Sequence, residues 1–92
     1  MAVFRRHEGN LHVEQDLNLV GVVTGTVTVF ACRFILEGTV MKDLVVQTDG
    51  TAVVRGAVLG DLVVKRGGSA IIHGDVLGAV LNEGGEVEIV NP

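Results

Sequence analysis

Tryptophan and tyrosine are absent, phenylalanine occurs only as Phe4, Phe30 and Phe34, and the single proline is Pro92. The hydrophobic share of 48% is therefore almost wholly aliphatic. One cysteine, Cys32, excludes an intramolecular disulfide, and its apolar surroundings predict a packed thiol. Basic residues are few: seven Lys and Arg stand against eleven Asp and Glu, for a net charge of −4. That balance argues against a nucleic-acid partner, which requires clustered cations. No apolar run approaches bilayer length and no signal-like segment follows Met1, so a cytoplasmic protein is expected. No helical periodicity and no linker divide the chain, and its 92 residues are read as one domain.

What the chain does contain is a repeat. Gly38, Gly56 and Gly74 are 18 residues apart, and Gly21 precedes the first of them by 17. Gly25, Lys42, Gly60 and Gly78 follow the same steps. Inside that period lies a shorter one: Leu11, Leu17, Val23 and Val29 are six apart. After one five-residue step, Phe34, Val40, Val46, Ala52, Val58, Val64, Ala70 and Val76 resume by sixes. Three sides of six residues per turn describe an all-β, single-stranded parallel β-helix of triangular section, with roughly five coils. Within each side the period is two, so Ala52 and Val54, Leu62 and Val64, and Ala70 and Ile72 should face inward. Gly and Gly-Asp pairs fall where the chain turns a corner, and glycine's tolerance of positive φ is the expected reason. Deletions at Phe30-Ala31-Cys32-Arg33 and at Asn82-Glu83-Gly84-Gly85-Glu86 should tighten one corner each. Residues 1–10 lack the pattern and are expected to form a tail or cap, leaving 11–92 as the β-helix.

The outward positions speak to function. Ile35, Val53 and Ile71 form one apolar column, Met41, Leu59 and Leu77 a second, and Val45, Val63 and Leu81 a third. Monomers rarely leave large contiguous apolar patches in water, so these columns are the expected lateral interface for self-association or another protein. At the ends of the coil, Phe4, Leu11 and Val13 on one side and Val87, Ile89 and Val90 on the other are the expected stacking residues. The Ala2-Val3-Phe4 start with Arg5 and Arg6 suits contact with an anionic membrane surface but is too short for firm anchoring.

Gly56-Ala57-Val58-Leu59-Gly60-Asp61-Leu62-Val63-Val64, with Gly74-Asp75-Val76-Leu77-Gly78 after it, resembles the G-x-V-x-G-D-hydrophobic repeat of bactofilins. These are polymer-forming bacterial cytoskeletal proteins, and the resemblance runs from about Leu17 to Ile89. It implies a right-handed parallel β-helix that polymerises through its ends without a nucleotide. The chain departs from the family in having fewer coils, oilier outer faces and no proline-rich tails.

Catalytic readings are thin. Ser69, His73 and Asp75 lie close in sequence, but no nucleophile elbow surrounds the serine. The six-residue step is shared with hexapeptide acyltransferases, yet their polar exteriors and extra loop are missing. His7, Glu8 and His12 lack the spacing of zinc motifs. The Gly67-Gly68 and Gly84-Gly85 pairs precede neither a Lys-Ser/Thr nor a helix, so they read as corners, not phosphate loops. Nothing calls for a cofactor or metal. The expectation is a non-enzymatic, self-assembling structural protein; the alternative is a small binding module held against one partner, such as an inhibitor or immunity-type protein.

Overall fold

The computed structural model describes residues 6–90, so the stacking expectation for Phe4 and the membrane-contact expectation for residues 2–5 lie outside them. Fifteen short strands follow in chain order, three to a coil. The first coil carries β1 (Arg6–His7), β2 (Leu11–Val13) and β3 (Leu17–Leu19). The second carries β4 (Val22–Val23), β5 (Val27–Val29) and β6 (Arg33–Leu36), and the third β7 (Thr39–Val40), β8 (Leu44–Val46) and β9 (Thr51–Val54). The fourth holds β10 (Ala57–Val58), β11 (Leu62–Lys65) and β12 (Ser69–Ile72), and the fifth β13 (Asp75–Val76), β14 (Val80–Glu83) and β15 (Glu86–Ile89). Corresponding strands of successive coils pair in parallel, giving three five-stranded sheets. Face A is β1-β4-β7-β10-β13, face B is β2-β5-β8-β11-β14, and face C is β3-β6-β9-β12-β15. The protein is an all-β solenoid, and no helix among the described residues is long and apolar enough to cross a membrane.

The inner ladders are those the six-residue step predicts. Leu36 pairs with Val54 and Val54 with Ile72; Leu44 pairs with Leu62; Val40 pairs with Val58. All are buried, in one core cluster running from Val13 to Ile72. Burying each such side chain contributes about 1.5–3 kcal/mol, and stacking lets every coil bury its ladder against the next. One inward column of face C varies in volume: Leu17, Phe34, Ala52, Ala70 and Val87 succeed one another. Phe34, wholly buried, is followed by the small Ala52 and Ala70. Cys32 is half-buried against this core, and its thiol donates to the Val13 carbonyl at 3.2 Å. Burial pushes the thiol pKa up, and the carboxylates of Asp16 and Glu14 push the same way.

Arg6–His7, within the stretch expected to form a tail or cap, pair with Val22–Val23.

The corners correct the expectation about glycine. Gly38, Gly56 and Gly74 do not have positive φ. They are stacked so closely that a Cβ on each would collide with the carbonyl oxygen of the glycine one coil before, Gly21, Gly38 and Gly56 in turn. Those carbonyls are engaged: Thr39, Ala57 and Asp75 donate their N–H groups to Gly21, Gly38 and Gly56 at 2.7, 2.9 and 3.0 Å. At Gly38, Gly56 and Gly74 space, not backbone angle, fixes glycine.

The Gly-Asp pair has a related cause. Asp43 accepts the N–H of Asp61, and Asp61 accepts the N–H of Ala79, each at 2.9 Å. A Cβ on Gly60 or Gly78 would fall on the carboxylate oxygen that makes this bond. Each Asp therefore ties its coil to the next, and the glycine before the following position leaves it room. Replacing Asp61 with Ala should cost about 1 kcal/mol, the net worth of one such bond, in urea unfolding. Asp61→Asn, which keeps the acceptor, should retain most of it.

Gly21, which begins the Gly38-Gly56-Gly74 column, does have positive φ (137); the other positive-φ positions fall chiefly at the corner between faces B and C. There Ala31 (φ 53), Asp49 (φ 63), Gly67 (φ 83) and Gly84 (φ 107) occupy successive coils. The expected deletions both land at this corner, and Asn82 helps close its last copy by accepting N–H bonds from Gly84 and Gly85 at 3.1 and 2.8 Å. Ala31 has no side chain able to offset a left-handed backbone, which costs about 1–2 kcal/mol for an L-residue. Ala31→Gly should raise stability by about 1 kcal/mol, or the melting temperature by about 4–8 °C.

Candidate functional site

The three apolar columns exist, but the coil treats them differently. On face C, Ile35, Val53 and Ile71 stack in register. Val53 is buried and its neighbours are half-buried, because side chains about 4.8 Å above and below in one column screen each other. On face B, Val45, Val63 and Leu81 also stack; Val45 and Val63 are half-buried and Leu81 is exposed. Face A is the open one. Its strands are only two residues long, so the next outward side chain stands at a corner with no flanking strand residue beside it. Met41, Leu59 and Leu77 are 47%, 41% and 70% exposed.

Register places these residues. Val22, Thr39, Ala57 and Asp75 are paired in one column along face A. Beyond it, Leu59 donates its N–H to Val40 at 2.8 Å and Leu77 donates to Val58 at 2.9 Å, so Met41, Leu59 and Leu77 continue the ladder. Before it, Arg55 donates its N–H to Leu36 and His73 donates to Val54, both at 2.7 Å. Glu37, Arg55 and His73 thus carry the face C ladder to the corner before face A, one coil apart and all exposed. Neither Glu37 nor Arg55 makes an ion pair among the described residues; the pair found there is Lys65 with Glu83, 2.8 Å apart and well exposed. Glu37, Arg55 and His73 share the 18-residue spacing, but apolar periodicity does not mark them as a column.

The residues expected to stack end to end divide by coil. In the first coil Val13 is buried and Leu11 half-buried. In the fifth, Val87 and Val90 are half-buried and Ile89 is 60% exposed. Exposed aliphatic surface therefore gathers on the fifth coil and on face A.

No catalytic constellation accompanies this surface. Ser69 lies on β12, His73 past its end and Asp75 on β13, and their side chains make no hydrogen bond among the described residues. No three His, Cys, Asp or Glu side chains among those residues approach closely enough to hold a metal ion. Two shallow grooves lie on face C, one at Asp16, Asn18, Arg33 and Ile35, the other at Ser69, Ile71, Glu86 and Glu88. The first contains an unpartnered buried acceptor, Asn18 Oδ1, within a side chain that is itself only half-buried. Comparison of the chain with protein-family models, with curated proteins and with solved structures gave no match.

Proposed function

We propose that this chain is a non-enzymatic scaffold that works by associating with copies of itself, a bactofilin-like role in the cytoplasm. The observation carrying this reading is the exposed apolar column of Met41, Leu59 and Leu77 on face A. Water tolerates isolated exposed aliphatics, but a contiguous ridge on consecutive coils gains free energy when a like surface covers it. The repeat that resembles bactofilins and the parallel solenoid support the same role. Val87, Ile89 and Val90 on the fifth coil supply an end surface along which lateral pairs would extend into a polymer. Self-association of either kind needs no nucleotide or metal.

Leu59→Lys is the test. The substitution sits at an exposed position, so circular dichroism and melting temperature should be unchanged while the association constant falls about tenfold, from the loss of buried apolar area and the burial of a charge. Equal sedimentation of the native and Leu59→Lys proteins at all concentrations would remove face A from the account.

A further inference from the structure

The fifth coil leaves a strand edge unpaired. Among the described residues β15 is hydrogen-bonded to β12 on one side and to no strand on the other. Glu86 and Val90 donate their N–H groups back to Gly68 and Ile72, at 3.0 and 2.7 Å. A parallel ladder alternates, so Val87 and Ile89 turn their N–H and C=O groups to the open end. We propose that this edge takes an added strand from a basic partner protein, an extended segment in which Lys or Arg alternates with Val, Ile or Leu. The inference goes beyond the self-association reading and makes no use of face A.

Register fixes the alternation. Val87 and Ile89 continue the inward columns of Ala70 and Ile72, and Glu86 and Glu88 continue the outward columns of Ser69 and Ile71. Ile72 is 3% exposed, whereas Ile89, with no coil after it, is 60% exposed. An added strand supplies Ile89 with the cover that each inner coil gives the one before it, so its inward positions are aliphatic. Its outward positions lie about 4.8 Å from Glu86 and Glu88. Both carboxylates are exposed and make no ion pair or side-chain hydrogen bond among the described residues, so cations placed there complete cross-strand pairs. The neighbouring edge, β14, offers less. Its Glu83 already pairs with Lys65, and its inward Asn82 is held by the N–H groups of Gly84 and Gly85.

A second copy fits this edge less well. A first coil stacked on the fifth, as coil follows coil, sets Asp16 on Glu86 and Glu14 on Glu83. Two fifth coils set edge to edge bring the carboxylates of Glu86 and Glu88 onto one another. Like charges directly opposite are destabilising, and a basic strand meets neither penalty. Bound there, it competes with end-to-end growth and leaves face A free.

Peptides test the alternation. Three acetylated and amidated peptides carry Lys-Val-Lys-Ile, Lys-Lys-Val-Ile or Glu-Val-Glu-Ile between the same Gly-Ser flanks. Each is titrated, with amide shifts followed by NMR, into the native chain and into the Glu86→Lys, Glu88→Lys double variant at one low protein concentration. Lys-Val-Lys-Ile should shift residues 86–89, leave residues 39–41 and 57–59 fixed, and bind about tenfold more tightly than Lys-Lys-Val-Ile, which has the same charge without the alternation. The double variant should bind Lys-Val-Lys-Ile about tenfold more weakly and prefer Glu-Val-Glu-Ile, at an unchanged melting temperature. If that variant fails to fold, the two basic peptides on the native chain decide alone. Equal binding of those two, shifts centred away from the fifth coil, or no binding overturns the proposal. None of these results touches self-association through face A, which sedimentation reads separately.

Discussion

Gly56→Ala should lower the melting temperature by about 15 °C or more, which at about 4–8 °C per kcal/mol corresponds to at least about 2–4 kcal/mol. The methyl group added at Gly56 would meet the carbonyl oxygen of Gly38 far inside contact distance. Overpacking a tight site usually costs about 1–3 kcal/mol, because side chains can shift rotamer to make room. Here the obstacle is backbone, and that same carbonyl accepts the N–H of Ala57 at 2.9 Å. Moving it means breaking the rung. Gly9 supplies the contrast: its φ is +88, but a Cβ there would meet nothing within 4 Å. Gly9→Ala should cost only the left-handed backbone penalty of about 1–2 kcal/mol. A thermal melt of the two variants separates crowding from backbone angle, and equal losses would contradict the stacked-glycine corner.

Phe34→Ala should destabilise the chain by about 3–5 kcal/mol, the usual cost of removing a fully buried aromatic side chain. Against a total stability of about 5–15 kcal/mol, that places the variant near the edge of folding. The column provides an internal check. Phe34 sits directly before Ala52 in the face C stack, so the large side chain and the small one share a volume spanning two coils. Ala52→Phe in the Phe34→Ala background should recover part of the loss, whereas Ala52→Phe alone should overpack the column. Contacting residues couple by about 0.5–3 kcal/mol in such cycles. Strict additivity in urea unfolding would show that the two positions do not share a column.

The repeat made the fold readable because the physics of a solenoid is nearly one-dimensional. Val40, Val58, Leu44, Leu62, Leu36 and Val54 each repeat their environment one coil away, so spacing alone assigns them inward. Other features depend on three-dimensional detail that spacing does not carry. Gly56 and Gly67 look alike in the sequence, yet the first is glycine because a carbonyl lies against it and the second because its φ is +83. The left-handed backbone at Ala31 and Asp49 leaves no mark, since neither residue announces it. Arg6–His7 join face A through backbone pairing, which a polar sequence conceals.

The candidate site was legible as three apolar columns but not in their ranking. Ile35, Val53 and Ile71 read as oily as Met41, Leu59 and Leu77. Longer strands on face C flank and screen the first set, while the two-residue strands of face A leave the second at a corner. That difference comes from strand length, and it decides which column is left most exposed.

The measurement closest to the central claim is the concentration dependence of backbone amide shifts in the native chain, followed by NMR from low to high micromolar. Shifts should move together for residues 39–41 and 57–59 on face A, while those of Val45 and Val63 on face B and Val53 on face C stay fixed. Spectra that do not change with concentration, or that change on faces B or C instead, would contradict it.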